Sequence, residues 1–306
     1  MNFVRSLGLA TLVSLLPSYV LGQNFAGDMA LSKVLIEGEG WQSVASGYGF
    51  TDAAATDDDG NFYFSGRRAN QAGIYRITPD GQVEAYLENV VGVSGLQFSP
   101  DGRLLATRWG KNDLIVIHKD GSFDTLASFE HPNDLVITGQ GLIFATGSQG
   151  VFLLNDQNEA SVVATGLKSP NGISLSPDQG TLVVSEYQGV HVWAYRIEKD
   201  GKLSFGEPYM TMRLSPAAEV ARGDGATTDI SGRYYVTSDL GIQMFDATGR
   251  ISGIISNPSK SNVSNVEFAG HGHRYLYVTA GGSIFRRLTK TRGFLFYQDF
   301  RDRPKP

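Results

Sequence analysis

The chain has 306 residues, of which 41% are hydrophobic and 19% charged, and a formal net charge of −5. That balance is globular rather than disordered, and with no strongly basic stretch it argues against a nucleic-acid partner. There is no cysteine, which excludes disulfides, thiolate nucleophiles, zinc–thiolate sites and iron–sulfur clusters.

The N-terminus reads as an export leader. Arg5 supplies a positive start, an apolar stretch runs from Leu7 to Leu16, and Pro17 breaks it. Val20 and Gly22 occupy the two positions a signal peptidase reads, which puts the leader at residues 1–22 and cleavage before Gln23. The apolar run is shorter than the roughly 20 residues a membrane span needs, and no later segment is apolar enough. The expectation is a secreted or periplasmic protein with one domain at residues 23–306. The next segment, Ser32 to Ser46, carries Val34-Leu35-Ile36 and has no hairpin partner nearby in sequence.

From Asp52 a unit recurs: a polar residue, a short apolar strand, a Gly-containing turn, then a strand ending in Ser or Thr. It begins at Asp52, Ser94, Asn133, Asn171, Asp224 and Ser264, spaced 42, 39, 38, 53 and 40 residues apart. Six units of this length match the repeat of a β-propeller blade. Asp59-Gly60, Asp80-Gly81, Asp101-Gly102 and Asp120-Gly121 lie between alternating apolar runs, the strongest short hairpin signal. Two hairpins per unit give four antiparallel strands. The long fourth unit holds a polar stretch from Glu198 to Pro208, read as an extended outer hairpin. The spacing therefore predicts an all-β, six-bladed propeller, with the Ser32–Ser46 segment as the outer strand closing the last blade. The basic, Pro-ended tail from Thr289 to Pro306 is expected on the outside.

In such a ring, equivalent positions converge on one axis. Asp52, Ser94, Asn133, Asn171, Asp224 and Ser264 would meet at one mouth of the central channel as an oxygen-rich set with two carboxylates. That donor set suits a hard divalent cation, Ca²⁺ first and Mg²⁺ or Mn²⁺ next; Zn²⁺ is less natural without His or Cys ligands. The same residue types also satisfy backbone groups at turns, and Asn171-Gly172 and Asp224-Gly225 are turn-forming pairs. The acidic run Asp57-Asp58-Asp59-Gly60 lacks the bidentate Glu of a calcium loop and reads as a solvated hairpin tip. No Gly-x-Ser-x-Gly elbow and no His-x-x-x-His spacing is present.

At Pro132-Asn133-Asp134, Ser169-Pro170-Asn171-Gly172-Ile173, Gly223-Asp224-Gly225 and Ser264-Asn265-Val266-Glu267-Phe268 the sequence resembles the gluconolactonase and regucalcin (senescence marker protein) family. The resemblance covers about Gly40 to Arg287. It implies a divalent metal held by Asp52, Asn133, Asn171 and Asp224, with Asp224 also the candidate general base. Where the family has Phe-Thr-Glu-Gly-Pro, this chain has Phe50-Thr51-Asp52-Ala53-Ala54, an acid one methylene shorter. Some members carry a sugar-contacting Arg two residues before the third-repeat Asn. Here that position is His131, a candidate substrate contact that is not a fixed bidentate cation.

Three functions follow from these residues. The first is a metal-dependent hydrolase opening a sugar lactone or related cyclic ester. The second keeps the metal for isomerisation, lyase chemistry or phosphotriester hydrolysis. The third is a non-catalytic, ligand-binding propeller with structural Ca²⁺. In each the partner is a small molecule, a lactone or carbohydrate derivative, and the protein is a monomer.

Overall fold

The computed structural model describes residues 29–297; the expected leader, residues 1–22, lies outside them. Among the described residues, 24 strands form six four-stranded antiparallel sheets. The innermost strands are Thr51–Thr56, Val93–Phe98, Leu135–Ile137, Pro170–Leu175, Ala226–Thr228 and Val263–Ala269. Each packs against the innermost strand of the next sheet, and the sixth packs against the first. The result is a six-bladed β-propeller.

The Asp-Gly turns lie where the pattern puts them. Gly60, Gly81, Gly102 and Gly121 all have φ between 79° and 88°, the left-handed region that glycine enters without steric cost. Each donates its N–H to the carbonyl three residues earlier, closing a hairpin. The long fourth unit builds the hairpin of His191–Ile197 and Leu203–Thr211, whose second strand has 9 residues.

Apolar side chains from the faces of adjacent blades meet in six separate clusters, one in each interface. Between blades 1 and 2, for example, Tyr63 and Ile74 meet Leu96, Leu104 and Ile115. Polar stitching at the mouth adds to this burial. The Ser65 hydroxyl donates to the Val93 carbonyl at 2.9 Å, Thr146 to Asn171 at 2.6 Å and Ser185 to Asp224 at 2.7 Å. Thr107 bonds the Asn133 carbonyl, and Thr237 reaches Ser264 at 3.4 Å. Ser264 shares a hydrogen bond with Thr279 and donates to the Thr51 carbonyl at 2.8 Å, closing the circle. The Ser or Thr ending each of the first five repeats, and Ser264 at the start of the sixth, is thus a cross-blade donor, worth about 1 kcal/mol apiece.

Two chain ends differ from the sequence expectation. Only Gln42–Ser46 of the closing segment is a strand, paired with Ser283–Leu288 in blade 6. Leu31, in the one-turn helix Met29–Ser32, and Val34 and Leu35 just after it instead fill the cluster between blades 5 and 6. Their i, i+3, i+4 spacing belongs to a helical turn, not to an alternating strand.

The described part of the C-terminal tail, residues 289–297, does not lie on the outside. Thr289 bridges Leu35, Gly293 bridges Asp229, and the Phe294 N–H donates to the Thr228 carbonyl. Phe294 and Phe296 enter the cluster between blades 3 and 4, and Tyr297 the one between blades 1 and 2. Residues 289–297 therefore cross the end of the ring remote from Asp52. Four consecutive apolar residues, Phe294 to Tyr297, outweigh the basic residues around them.

Candidate functional site

The ring residues lie at the starts of the innermost strands, and a bulge aims several of them. In blade 1 the pairing slips by one residue between Asp52 and Ala55, and in blade 4 between Pro170 and Ile173. Such an extra residue turns a side chain out of the regular ladder. Asp52 lies opposite Ser65, and its carboxylate accepts the N–H of Ala53, itself in the left-handed region at φ 48°.

Blades 4 and 5 touch through their backbones. The Gly172 N–H donates to the Asp224 carbonyl at 3.1 Å. A Cβ on Gly172 would stand 2.1 Å from that oxygen, and one on Gly225 would stand 2.3 Å from the Asn265 Oδ1. Neither glycine has a positive φ, so these Asn-Gly and Asp-Gly pairs are close-approach positions rather than turns. The contact brings the Asn171 carboxamide beside the Asp224 carboxylate, where it favours the charged form of that acid.

The electrostatics single out four acids. Burial pushes the Asp52 carboxyl up to about 7. Burial, then the charges of Asp52 and Asp134, hold Asp224 well above the carboxylate range, against the effect of the Asn171 carboxamide. Asp134, 6% exposed, is raised by burial and by the charges of Asp52 and Glu267, although it accepts the N–H groups of Leu135 and Ile173. Burial takes Glu267 to about 7 despite hydrogen bonds from Phe268 N–H at 2.6 Å and Thr227 Oγ1 at 2.9 Å. No lysine or arginine charge among the described residues offsets any of the four.

The structure thus brings Asp52, Asn171 and Asp224 together. The Asn133 backbone is fixed beside them, its carbonyl accepting from Ser94 and Thr107 and its N–H donating to Thr146. Its carboxamide makes no hydrogen bond among the described residues. Ser94 and Ser264 do not join this set as channel donors; their hydroxyls serve the cross-blade bonds. His131 stands on the rim, its ring stacked on Trp109 at 4.7 Å and its backbone N–H donating to Asn112 Oδ1 at 2.9 Å. Asp134 and Glu267 were not singled out from the sequence as site acids. The signal was there: an acid within an innermost strand, such as Glu267 between Val266 and Phe268, has little water to face.

The model of the SMP-30/gluconolactonase/LRE-like region matches residues 110–282, more than half of the chain. The chain belongs to this family. It is 25% identical over 297 residues to a gluconolactonase of Zymomonas mobilis, covering 82% of this chain and 81% of the relative. A solved gluconolactonase of Xanthomonas campestris superposes with a TM-score of 0.73 at 21% identity, over 89% of this chain and 94% of that one. A calcium-binding regucalcin of Agrobacterium tumefaciens gives 0.69 at 15% identity, over 84% and 97%. These structural likenesses concern the fold.

Whether the residues of this family member fit a divalent ion is a matter of donor chemistry. No three His, Cys, Asp or Glu side chains group as metal ligands among the described residues, so carboxylates alone do not make the site. Asp52 and Asp224 with the carboxamides of Asn133 and Asn171 offer oxygen donors only, two of them anionic, desolvated and without a protein counter-charge. That set fits a hard cation.

Proposed function

We propose that this protein is a divalent-cation-dependent lactonase that opens a sugar lactone or related cyclic ester at the Asp52 mouth of the channel. The observation that carries the reading is the convergence of the desolvated, mutually repelling carboxyls of Asp52 and Asp224 beside the Asn171 carboxamide, in a chain of this family. Asp52, Asn133, Asn171 and Asp224 would hold the cation, with Ca²⁺ favoured by the all-oxygen donors. A bound cation supplies Lewis acidity for the ester carbonyl.

The chain's own groups do the rest. Asp224, its proton affinity raised by burial and by the charges of Asp52 and Asp134, takes the proton from the attacking water as general base. Asn171, beside that carboxylate, favours its charged form. Asn133, with its carboxamide oxygen toward the cation, leaves its NH2 as a donor for the substrate. His131, braced by Trp109, offers one hydrogen bond at the rim. The leader at residues 1–22 supports export to the periplasm or medium, which N-terminal sequencing of the secreted protein tests directly. A monomer is the assembly proposed.

The deciding experiment is a lactone panel with Ca²⁺ present, against chelator-treated protein and two variants. Asp224→Asn keeps an oxygen donor and loses the base; kcat is expected to fall about 10³-fold with Ca²⁺ still bound. Asp224→Ala is expected to lose both activity and Ca²⁺. Full hydrolysis by either variant would remove Asp224 from its role, and ligand binding without turnover of any lactone would favour a binding protein.

A further inference from the structure

Beside the channel mouth, between blades 1 and 2, lies a cleft of about 360 Å³ that the mechanism above does not use. Phe50, Arg67, Val90 and Val93 wall it, and glycines 49, 66, 73 and 92 leave it room. Ser65 also lines it, and Ser65 is the strand partner of Asp52. The cleft therefore begins next to the candidate site.

Arg67 faces it for a simple reason. Ser65 and Arg67 are two residues apart on the strand Phe62–Arg68, so they share a face and lie about 7 Å apart along it. The Ser65 hydroxyl reaches Val93 of blade 2, which fixes that face toward the cleft. The Arg67 backbone is pinned on both sides: its carbonyl accepts the Gly49 N–H at 2.7 Å, and its N–H donates to Phe50 at 3.3 Å. Arg108 and Arg222, also at this end of the molecule, are committed to Asp113 and Asp239. The exposed Arg67 guanidinium has no carboxylate in ion-pair range among the described residues. Phe50, 56% exposed, adds an apolar wall beside it.

We infer that this cleft is an anion subsite in which Arg67 holds a carboxylate carried by the lactone, while the ring ester lies over Asp52 and Asp224. The inference rests on the lactonase reading and narrows its substrate class to lactones bearing a second acid group. The arrangement orients such a molecule. Its carboxylate is drawn to the one free cation of the cleft wall, where a planar guanidinium can bind it with two parallel hydrogen bonds.

The test compares D-glucaro-1,4-lactone, which carries a carboxylate, with neutral D-glucono-1,5-lactone on the full chain with saturating Ca²⁺. The wild type is expected to prefer the acid lactone through a lower KM, and Arg67→Gln to reduce that preference about tenfold, with Arg67→Lys between them. Raising ionic strength from about 0.02 M to about 0.5 M should erode the wild-type preference and leave that of Arg67→Gln flat. An equal effect of Arg67→Gln on both lactones, or none on either, overturns the subsite. Calorimetric binding of D-glucarate against D-gluconate needs no turnover. If no lactone is hydrolysed but Arg67→Gln weakens glucarate binding about tenfold relative to gluconate, the subsite stands and the lactonase reading fails. If lactones are hydrolysed and that relative affinity is unchanged, the subsite alone fails.

Discussion

The two sides of the candidate site are built differently. On the side of blades 4 and 5, the Asn171 carboxamide stands beside the Asp224 carboxylate, and a backbone bond from Gly172 to the Asp224 carbonyl locks the strands beneath them. On the side of blade 1, Asp52 has only the N–H of its neighbour Ala53, and that neighbour holds a left-handed φ of 48°. One side is organised by the protein alone. The other holds an acid whose charge the protein leaves uncompensated, as a cation ligand would be. Three perturbations separate these two designs.

The largest effect is expected at Gly172. Its missing Cβ would meet backbone, the Asp224 carbonyl at 2.1 Å and the neighbouring Gly225 and Ala226 at 2.7 and 2.8 Å, so no flexible side chain can yield. Gly172→Ala must push blades 4 and 5 apart and break the Gly172–Asp224 bond. A loss of about 3 kcal/mol is expected, read as a lower denaturant midpoint at unchanged m-value. Ca²⁺ affinity should drop with it. A midpoint matching the wild type would mean that the close approach is not what assembles this side.

The second effect tests the uncompensated acids by pH. Asp52 and Glu267 bind protons up to about 7, against ordinary values of 3.8 and 4.5. Between about pH 4 and 7 the unfolded chain releases protons that the native chain retains, so stability without cation falls as pH rises through that window. In chelator, the melting temperature should drop at least about 5 °C from pH 5 to pH 8. Ca²⁺ should restore it at pH 8 and do little at pH 5. The turn aspartates Asp101 and Asp246 are shifted the other way, below 3.8; they lose their contribution only as pH falls below that value and leave this window untouched. A melting temperature in chelator that rises from pH 5 to pH 8 contradicts the account.

Much of this fold was legible because its signals are local. The six polar–strand–turn repeats and the Asp-Gly hairpins need no knowledge of what lies across the ring. The ring positions Asp52, Asn133, Asn171 and Asp224 were equally readable, since equivalence within a repeat is a sequence property. What escaped depends on long-range packing. Ser94 and Ser264 have the right positions but commit their hydroxyls to neighbouring blades, a choice set by partners such as Asn133 and Thr51. Asp134 and Glu267 become site acids only because another blade excludes their water. The path of Phe294–Tyr297 across the ring, and of Val34 and Leu35 into the blade 5–6 cluster, depends on apolar gaps that exist only once the blades are assembled.

The smallest effect isolates the backbone on the blade 1 side. Ala53 is fully buried, and so is Ala55, but only Ala53 has a positive φ. Ala55→Gly removes a buried methyl and frees the unfolded chain, costing about 1.5 kcal/mol. Ala53→Gly incurs the same losses but recovers the roughly 1–2 kcal/mol that a side chain costs in the left-handed region. Its net change should stay within about 0.5 kcal/mol of zero. Equal costs for the two variants would mean that the bulge carries no strain at Ala53. A near-zero cost at Ala53 alone would show that blade 1 holds Asp52 toward the channel at the expense of its neighbour's backbone, where blades 4 and 5 achieve the same with glycine.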